Sequence, residues 1–505
     1  MLVIATGGLG AEQLPERPNV LLLLSDDQRP DTIDALGNSV IRTANLDRLI
    51  REGTTFLRAA ASYPLCVPSR AEILTGATGF RNGVLPAHSN RLDPSLETWA
   101  EVMRDAGYHT WYVGKWHTSG RPSDHGYEKT LGLFASGGGE PTFPRDVHGR
   151  KVTGYRGWVF QTDAKETFPD QGVGVTPDIS ERIAAAAIDV IARKPERPFF
   201  LHVNFTAPHD PLLLPPGYEE LYRPESMPLP ANFQPLHPFD HGNFWGRDEQ
   251  LLPWPRTPAD VRADLAAYYA VISHMDASIG RILKALEETE QLEKTLIIFA
   301  SDHGLAMGSH GLRGKQNMYE HTIGVPLIVR GPNIPRGKRT KAQVYLRDLF
   351  PTTCELTGIP IPDSVQGRSF APILSGTKEA IYRHIFGLFG DSQRMVRGER
   401  YKLIEYPQIE QTQFFDLERD PWELNNLADD PAHAAVVREL RDVLRRWQQE
   451  MNDPLVSRRS GERALPKDHR PGIEGSLNLV CLSTIQLSSK NSNGGNGSPC
   501  LCLQQ

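Results

Sequence analysis

Asp26 and Asp27 stand directly behind the apolar run Asn19–Ser25, and Asp302 and His303 stand directly behind a second run, Lys294–Ser301. Three carboxylates brought into one dry pocket repel one another unless a cation neutralises them. Their hard oxygens favour Ca²⁺ or Mg²⁺, while the His303 nitrogen leaves the choice open. Arg70, Lys115 and Lys315 lie in loops of the same kind and add fixed positive charge. A metal paired with arginine and lysine suits an anion with several equivalent oxygens, such as sulfate or phosphate. His117, in Gly114-Lys-Trp-His117, and His209, in Ala207-Pro-His-Asp210, add groups that exchange protons near neutral pH. Taken singly, an aspartate at a strand end is more commonly a turn or cap residue. The shared placement of the set is what makes it a candidate site.

That placement follows from the order of the elements. Asn19–Ser25, Tyr108–Gly114, Phe199–Phe205 and Lys294–Ser301 read as buried strands, each ending in one of the polar clusters. Between them, residues 43–52, 96–106, 179–192 and 261–289 carry helical periodicity, with Gly53 and Gly107 as stops. The alternation predicts an α/β fold, a large mostly parallel sheet sandwiched by helices. Ligands in such sheets bind beyond the carboxyl ends of the strands, so the clusters converge on one pocket. After about residue 368 the texture changes. Short strands at 383–389, within 395–404 and at 412–417, followed by a charged amphipathic helix over 431–451, predict a smaller antiparallel α+β subdomain over 369–452. Residues 1–17 read as a remnant export signal or a tail, 18–368 as the catalytic domain, and 453–505 as a tail that is disordered after 472.

Composition removes several classes of function. The 505 residues carry 55 Lys and Arg against 61 Asp and Glu, a net charge of −6, with no basic block to gather nucleic acid. The longest apolar run, Val20–Leu24, is too short to span a bilayer. Of five cysteines, Cys481, Cys500 and Cys502 fall in the Ser/Asn/Gly-rich tail, which leaves Cys66 and Cys354 as a poor disulfide framework. An export signal places the protein in the periplasm or outside the cell, and its absence leaves a cytoplasmic alternative. Oligomeric state is not legible.

Cys66-Val-Pro-Ser-Arg70, followed by Leu74-Thr-Gly76, resembles the C-x-P-x-R signature of the type I sulfatases of the alkaline phosphatase superfamily, whose cysteine is oxidised to formylglycine. The other clusters fit the same family, together with Gly314-Lys315, Tyr319-Glu320 and Phe415-Asp-Leu-Glu-Arg-Asp-Pro-Trp, so the resemblance spans residues 18–450. Asp302-His303 is similar to the branch that includes iduronate-2-sulfatase and bacterial relatives, where many members have Asp-Asn. The resemblance implies that Asp26, Asp27, Asp302, His303 and a formylglycine at Cys66 hold one divalent cation, calcium by family habit, with magnesium or manganese fitting the carboxylates as well. It implies that Arg70 holds the formylglycine hydrate, that Lys115 and Lys315 grip the sulfate, and that His209 protonates the leaving oxygen. His117 then takes a proton from the second hydroxyl, so that the aldehyde reforms and sulfate leaves. A formylglycine-generating maturation enzyme is the implied partner.

The implied substrate is a sulfate monoester on a small molecule or, in preference, a saccharide. Residues 131–178 and 212–260 read as Gly/Pro-rich loops roofing the pocket, and Trp158, Phe239, His241, Phe244, Trp245 and Trp254 within them suit a sugar ring. His88 and Asn90 are further candidates for touching the sugar. Some phosphonate hydrolases share the signature, so a formylglycine-dependent phosphonate or phosphate ester hydrolase is the first alternative. A catalytically silent binding protein of the same fold is the second.

Overall fold

The structure is a computed structural model that describes residues 17–85, 89 and 91–458. The Leu21–Leu24 stretch of the first strand has no polar side chain because both faces of that strand are covered. In β1 (Asn19–Ser25), Val20, Leu22 and Leu24 enter one core cluster and Leu21 and Leu23 another. Such a strand shows a continuous apolar run instead of alternation. One cluster is closed by the helices Cys66–Thr75, Trp99–Asp105 and Leu349–Thr357, the other by Ala44–Glu52, Ile179–Ala192 and Pro258–Glu288, which gives three layers.

The middle layer has nine strands. Besides β1 they are β2 (Thr54–Ala60), β3 (His109–Lys115), β4 (Lys129–Ser136), β5 (Trp158–Gln161), β6 (Phe199–Asn204), β7 (Thr295–Ser301), β8 (Leu327–Arg330) and β9 (Lys338–Tyr345). Their order is β5-β4-β3-β6-β1-β7-β8-β2-β9. β4, β3, β6, β1 and β7 run parallel, while β5 and β8 are antiparallel to their neighbours. A separate antiparallel meander, β10 (Ile385–Phe389), β11 (Gln393–Arg397), β12 (Tyr401–Tyr406) and β13 (Gln411–Asp416), carries the helix Ala434–Glu450. Val437, Leu440, Leu444 and Trp447 of that helix pack on Leu388, Val396, Leu403 and Phe414. The expected α/β architecture with a C-terminal antiparallel sheet is what the chain forms.

Three expectations are corrected. Residues 131–178 are not simply loop, since most of β4 and all of β5 fall within them and pair through Ala135–Val159. The helix expected from residue 96 starts at Trp99, because Thr98 caps it in a reciprocal box with Glu101. Arg70, read as lying in a loop, falls within the helix Cys66–Thr75, which Cys66 opens and whose first turn tolerates Pro68. His88, Asn90, residues 1–16 and the tail from residue 459 lie outside the described residues, and the calls made on them with them. Among the described residues no helix is long and apolar enough to cross a membrane.

Register aligns the ends of the strands. Ser25 faces Ser301 across β1 and β7, Leu24 faces Asn204 across β1 and β6, and Gly114 faces Asn204 across β3 and β6. Asp26, Asp302, Lys115 and the loop to His209 therefore leave the sheet at one level. Gly114 permits this at a bulge against β4: its φ is +88°, and a Cβ there would lie 2.0 Å from the Asn204 carbonyl oxygen. Alanine at Gly114 is expected to lower stability by about 3 kcal/mol through clash and strain. Alanine at Gly107, where φ is +95° but the space is open, should cost only about 1 kcal/mol. Denaturation midpoints of the two variants check the difference, and equal midpoints would contradict the close approach.

Candidate active site

Cys66 sits at the first position of its helix, 3% exposed, at the meeting point of four strand ends. Its Sγ is 3.5 Å from Asp26 Oδ1 and 3.4 Å from Lys315 Nζ, and the His117 side chain pairs with it. Arg70, one turn along the same helix, donates Nε to Asp302 Oδ2 at 3.0 Å and Nη2 to Asp26 Oδ1 at 3.3 Å. Lys115 at the end of β3 donates Nζ to Asp26 Oδ2 at 2.7 Å, and Lys315 donates Nζ to Asp27 at 2.8 and 2.9 Å. All of these side chains except that of His117 are almost fully buried. Asp27 adopts φ +68°, its N–H donating to Asp302 Oδ1 at 3.1 Å and its carbonyl accepting from Tyr268 Oη at 2.5 Å. Those two bonds hold an aspartate in the left-handed region and turn its carboxylate toward Lys315.

Electrostatics follow from this packing. Burial pushes Asp26 up, as does the Cys66 charge, yet Lys115, His209 and Arg70 together hold it below the ordinary carboxylate range. Asp302 goes the other way: burial pushes it up to about 7, and His303 and Arg70 offset only part of that. Burial opposes a charge on His303, but Asp302, Cys66 and Asp27 raise it to about 9. Burial likewise opposes the Cys66 thiolate, and Lys115, Lys315 and His303 bring the thiol well below its usual value.

The donor set could hold a metal ion. Ligand atoms of Asp26, Asp27, Cys66 and His303 all lie within 4.8 Å of one another, and Asp302 Oδ2 lies 3.7 Å from His303 Nε2. The buried Nε2 of His303 has no hydrogen-bond partner and Nδ1 faces the Gly304 carbonyl oxygen at 3.1 Å, so the ring, once its Nε2 proton is displaced, would turn that nitrogen's lone pair to a metal. Thus the structure brings Asp26, Asp27, Cys66, Arg70, Lys115, His117, His209, Asp302, His303 and Lys315 into one pocket.

Sequence reasoning missed four neighbours. Tyr155 donates its hydroxyl to Asp26 Oδ2, with Lys115 Nζ 5.2 Å from its ring and the His209 ring 4.7 Å away. Asp210 faces His209 Nδ1 through its backbone oxygen at 2.5 Å and Oδ1 at 3.2 Å, which leaves His209 Nε2 turned to Asp27 Oδ2 at 3.8 Å. Arg247 grips both Asp210 oxygens, at 2.6 and 2.9 Å, and pairs with Asp248. Asp248 in turn lies 3.9 Å from Lys315 Nζ. Adjacency to His209 was the available signal for Asp210; Tyr155 had none.

The sulfatase family model matches residues 18–359, about two thirds of the chain and all of the pocket. The chain belongs to the sulfatase family. Residues 308–450 also match a model described as the C-terminal part of N-sulphoglucosamine sulphohydrolase. An arylsulfatase of Clostridium perfringens is 31% identical over 462 residues, covering 85% of this chain and 94% of the relative. Two solved structures share the fold at 24% identity. One, in complex with its substrate D-glucosamine-2-N,6-O-disulfate, superposes with a TM-score of 0.72 over 87% of this chain and 99% of its own. The other, a phosphonate monoester hydrolase of Agrobacterium radiobacter, gives 0.69 over 86% and 96%.

In this sulfatase-family chain Tyr155 is an outer support for a candidate metal ligand, and losing such a support commonly weakens metal binding 10- to 100-fold. Tyr155→Phe is expected to do so, read by chelator competition for bound divalent metal. Unchanged affinity would remove Tyr155 from the site.

Proposed function

We propose that the chain hydrolyses a sulfate monoester carried on a carbohydrate, with Cys66 converted to formylglycine and one divalent cation, calcium first, held by Asp26, Asp27, Asp302 and His303. The observation that carries the reading is the position of Cys66, at a helix N-terminus with Lys115, Lys315, Arg70 and His117 around it and three carboxylates behind it. When bound, the formylglycine hydrate supplies the attacking oxygen and the cation lowers the cost of its negative charge. The chain's own groups do the rest. Lys115 and Lys315 meet the charge on the sulfuryl oxygens, and Arg70 fixes the orientation of Asp26 and Asp302. His209, steadied by Asp210 at Nδ1, presents Nε2 to deliver a proton to the departing alcohol oxygen. His117, beside residue 66, accepts the proton that must leave before sulfate is released.

The preference for a sugar is supported by the cluster of Phe244, Trp245 and Trp254, whereas His241 is buried and Phe239 packs on Tyr406, so neither is open to a sugar as the sequence suggested. The second reading, a phosphonate ester hydrolase, is favoured by the likeness of fold to the Agrobacterium enzyme. Peptide mass spectrometry across Cys66 combined with assays on an aryl sulfate and on a phosphonate monoester separates the two. Conversion of Cys66, with the sulfate ester turned over at least about tenfold faster, is the expected outcome, and Cys66→Ala should lose about a thousandfold or more in kcat. Faster phosphonate turnover would establish the second reading. Full conversion without turnover of either ester would leave only a binding role.

A further inference from the structure

The loop over residues 240–250 carries the most exposed large apolar side chain among the described residues, Trp245, at 69%. An aromatic ring left in water on a floppy loop means little, but this loop is braced. Asp240 Oδ1 accepts from the Gly242 N–H at 2.8 Å, the Gly246 N–H donates to the Asn243 carbonyl at 2.9 Å, and Gln250 Nε2 donates to the Trp245 carbonyl at 2.6 Å. The side chain also has support. Phe244 and Trp254 approach it at 5.3 and 5.4 Å in edge-to-face geometry, and Trp254 rests over the buried Arg256 guanidinium at 4.4 Å.

The loop is also fastened to the catalytic pocket on both sides of Trp245. Asn243 Nδ2 donates to Gln316 Oε1 at 2.6 Å, next to Lys315. Glu249 accepts the Arg313 and Gly314 N–H groups at 2.8 Å each, immediately before Lys315. Arg247 clamps Asp210, the partner of His209. Trp245 thus stands at a fixed offset from both the sulfate-gripping lysine and the group facing the leaving oxygen. The part of a substrate on that side is whatever the ester oxygen is attached to.

We propose that Trp245 is the platform on which the sugar residue adjoining the sulfated one stacks, so that the chain selects sulfated oligosaccharides over sulfated monosaccharides. The apolar face of a pyranose is large enough to cover an indole. The loop pays for rigidity before the sugar arrives, so little ordering cost falls on binding. This inference rests on the sulfate-ester reading above.

The test compares wild-type, Trp245→Ala and Trp245→Phe proteins on sulfated glycosaminoglycan disaccharides and the matching sulfated monosaccharides. The wild-type KM should be about tenfold lower for the disaccharide, the size of one aromatic contact, and Trp245→Ala should abolish that ratio while Trp245→Phe keeps most of it. Binding of the same saccharides, sulfated and unsulfated, to the thiol form of the protein, read by titration calorimetry, gives a second measure that needs no turnover. Loss of disaccharide binding in Trp245→Ala supports the platform even where no ester is cleaved, which would count against the sulfate-ester reading alone. A disaccharide advantage that survives Trp245→Ala, or a wild-type protein that binds no disaccharide, overturns the proposal; in that case the patch serves another surface.

Discussion

Burying Asp26, Asp27 and Asp302 within a few ångströms of one another is the constraint on which the rest of the structure depends. Carboxylates in that position are costly unless positive charge reaches each of them, and the fold supplies it from separate places: Arg70 from a helix, Lys115 from β3, Lys315 from the loop after β7. Arg70 answers both Asp302 and Asp26, Lys115 answers Asp26 and Lys315 answers Asp27, so removing any of them strips a buried carboxylate of a charged partner instead of merely weakening the pocket. The parallel sheet is the means of delivery, because strands running the same way bring the residues that follow their carboxyl ends to one edge of the sheet.

How much could be read in advance depended on how locally each feature is encoded. β1 and β7 announce themselves because both of their faces are buried and their sequences are apolar throughout. β8 has only four residues, and β2 mixes Thr54, Thr55 and Arg58 with its apolar positions, so neither carries a clear period. The helix Cys66–Thr75 is hidden for the opposite reason. Nine of its ten residues are buried, so it has no polar face to set a 3.6-residue rhythm. Within the site, the groups adjoining strand ends were legible from their placement, whereas Tyr155 reaches Asp26 from a position 129 residues away with nothing in its own neighbourhood to mark it.

The roof illustrates a division of labour between rigid and exposed parts. Side chains that touch the pocket are tied to others by charged hydrogen bonds, as in the series Arg247, Asp210 and His209, while Trp245, two residues from Arg247, remains exposed. A substrate entering such a site meets shape at the rim and charge at the base. Change of specificity within this architecture can therefore proceed at the rim without disturbing the charges beneath it.

The burial of Cys66 sets an order of events in the life of the chain. Lys315, which packs on the Cys66 sulfur, lies 249 residues further on. At roughly 5–20 residues per second of synthesis, the cysteine is exposed for about 12–50 s before the residue that closes over it has even been made. An enzyme that oxidised Cys66, as the proposed function requires, would have its opportunity in that interval, and afterwards would compete with a closed fold. The fraction of molecules able to work would then be fixed by a race between translation and maturation, independently of how well the finished pocket is built.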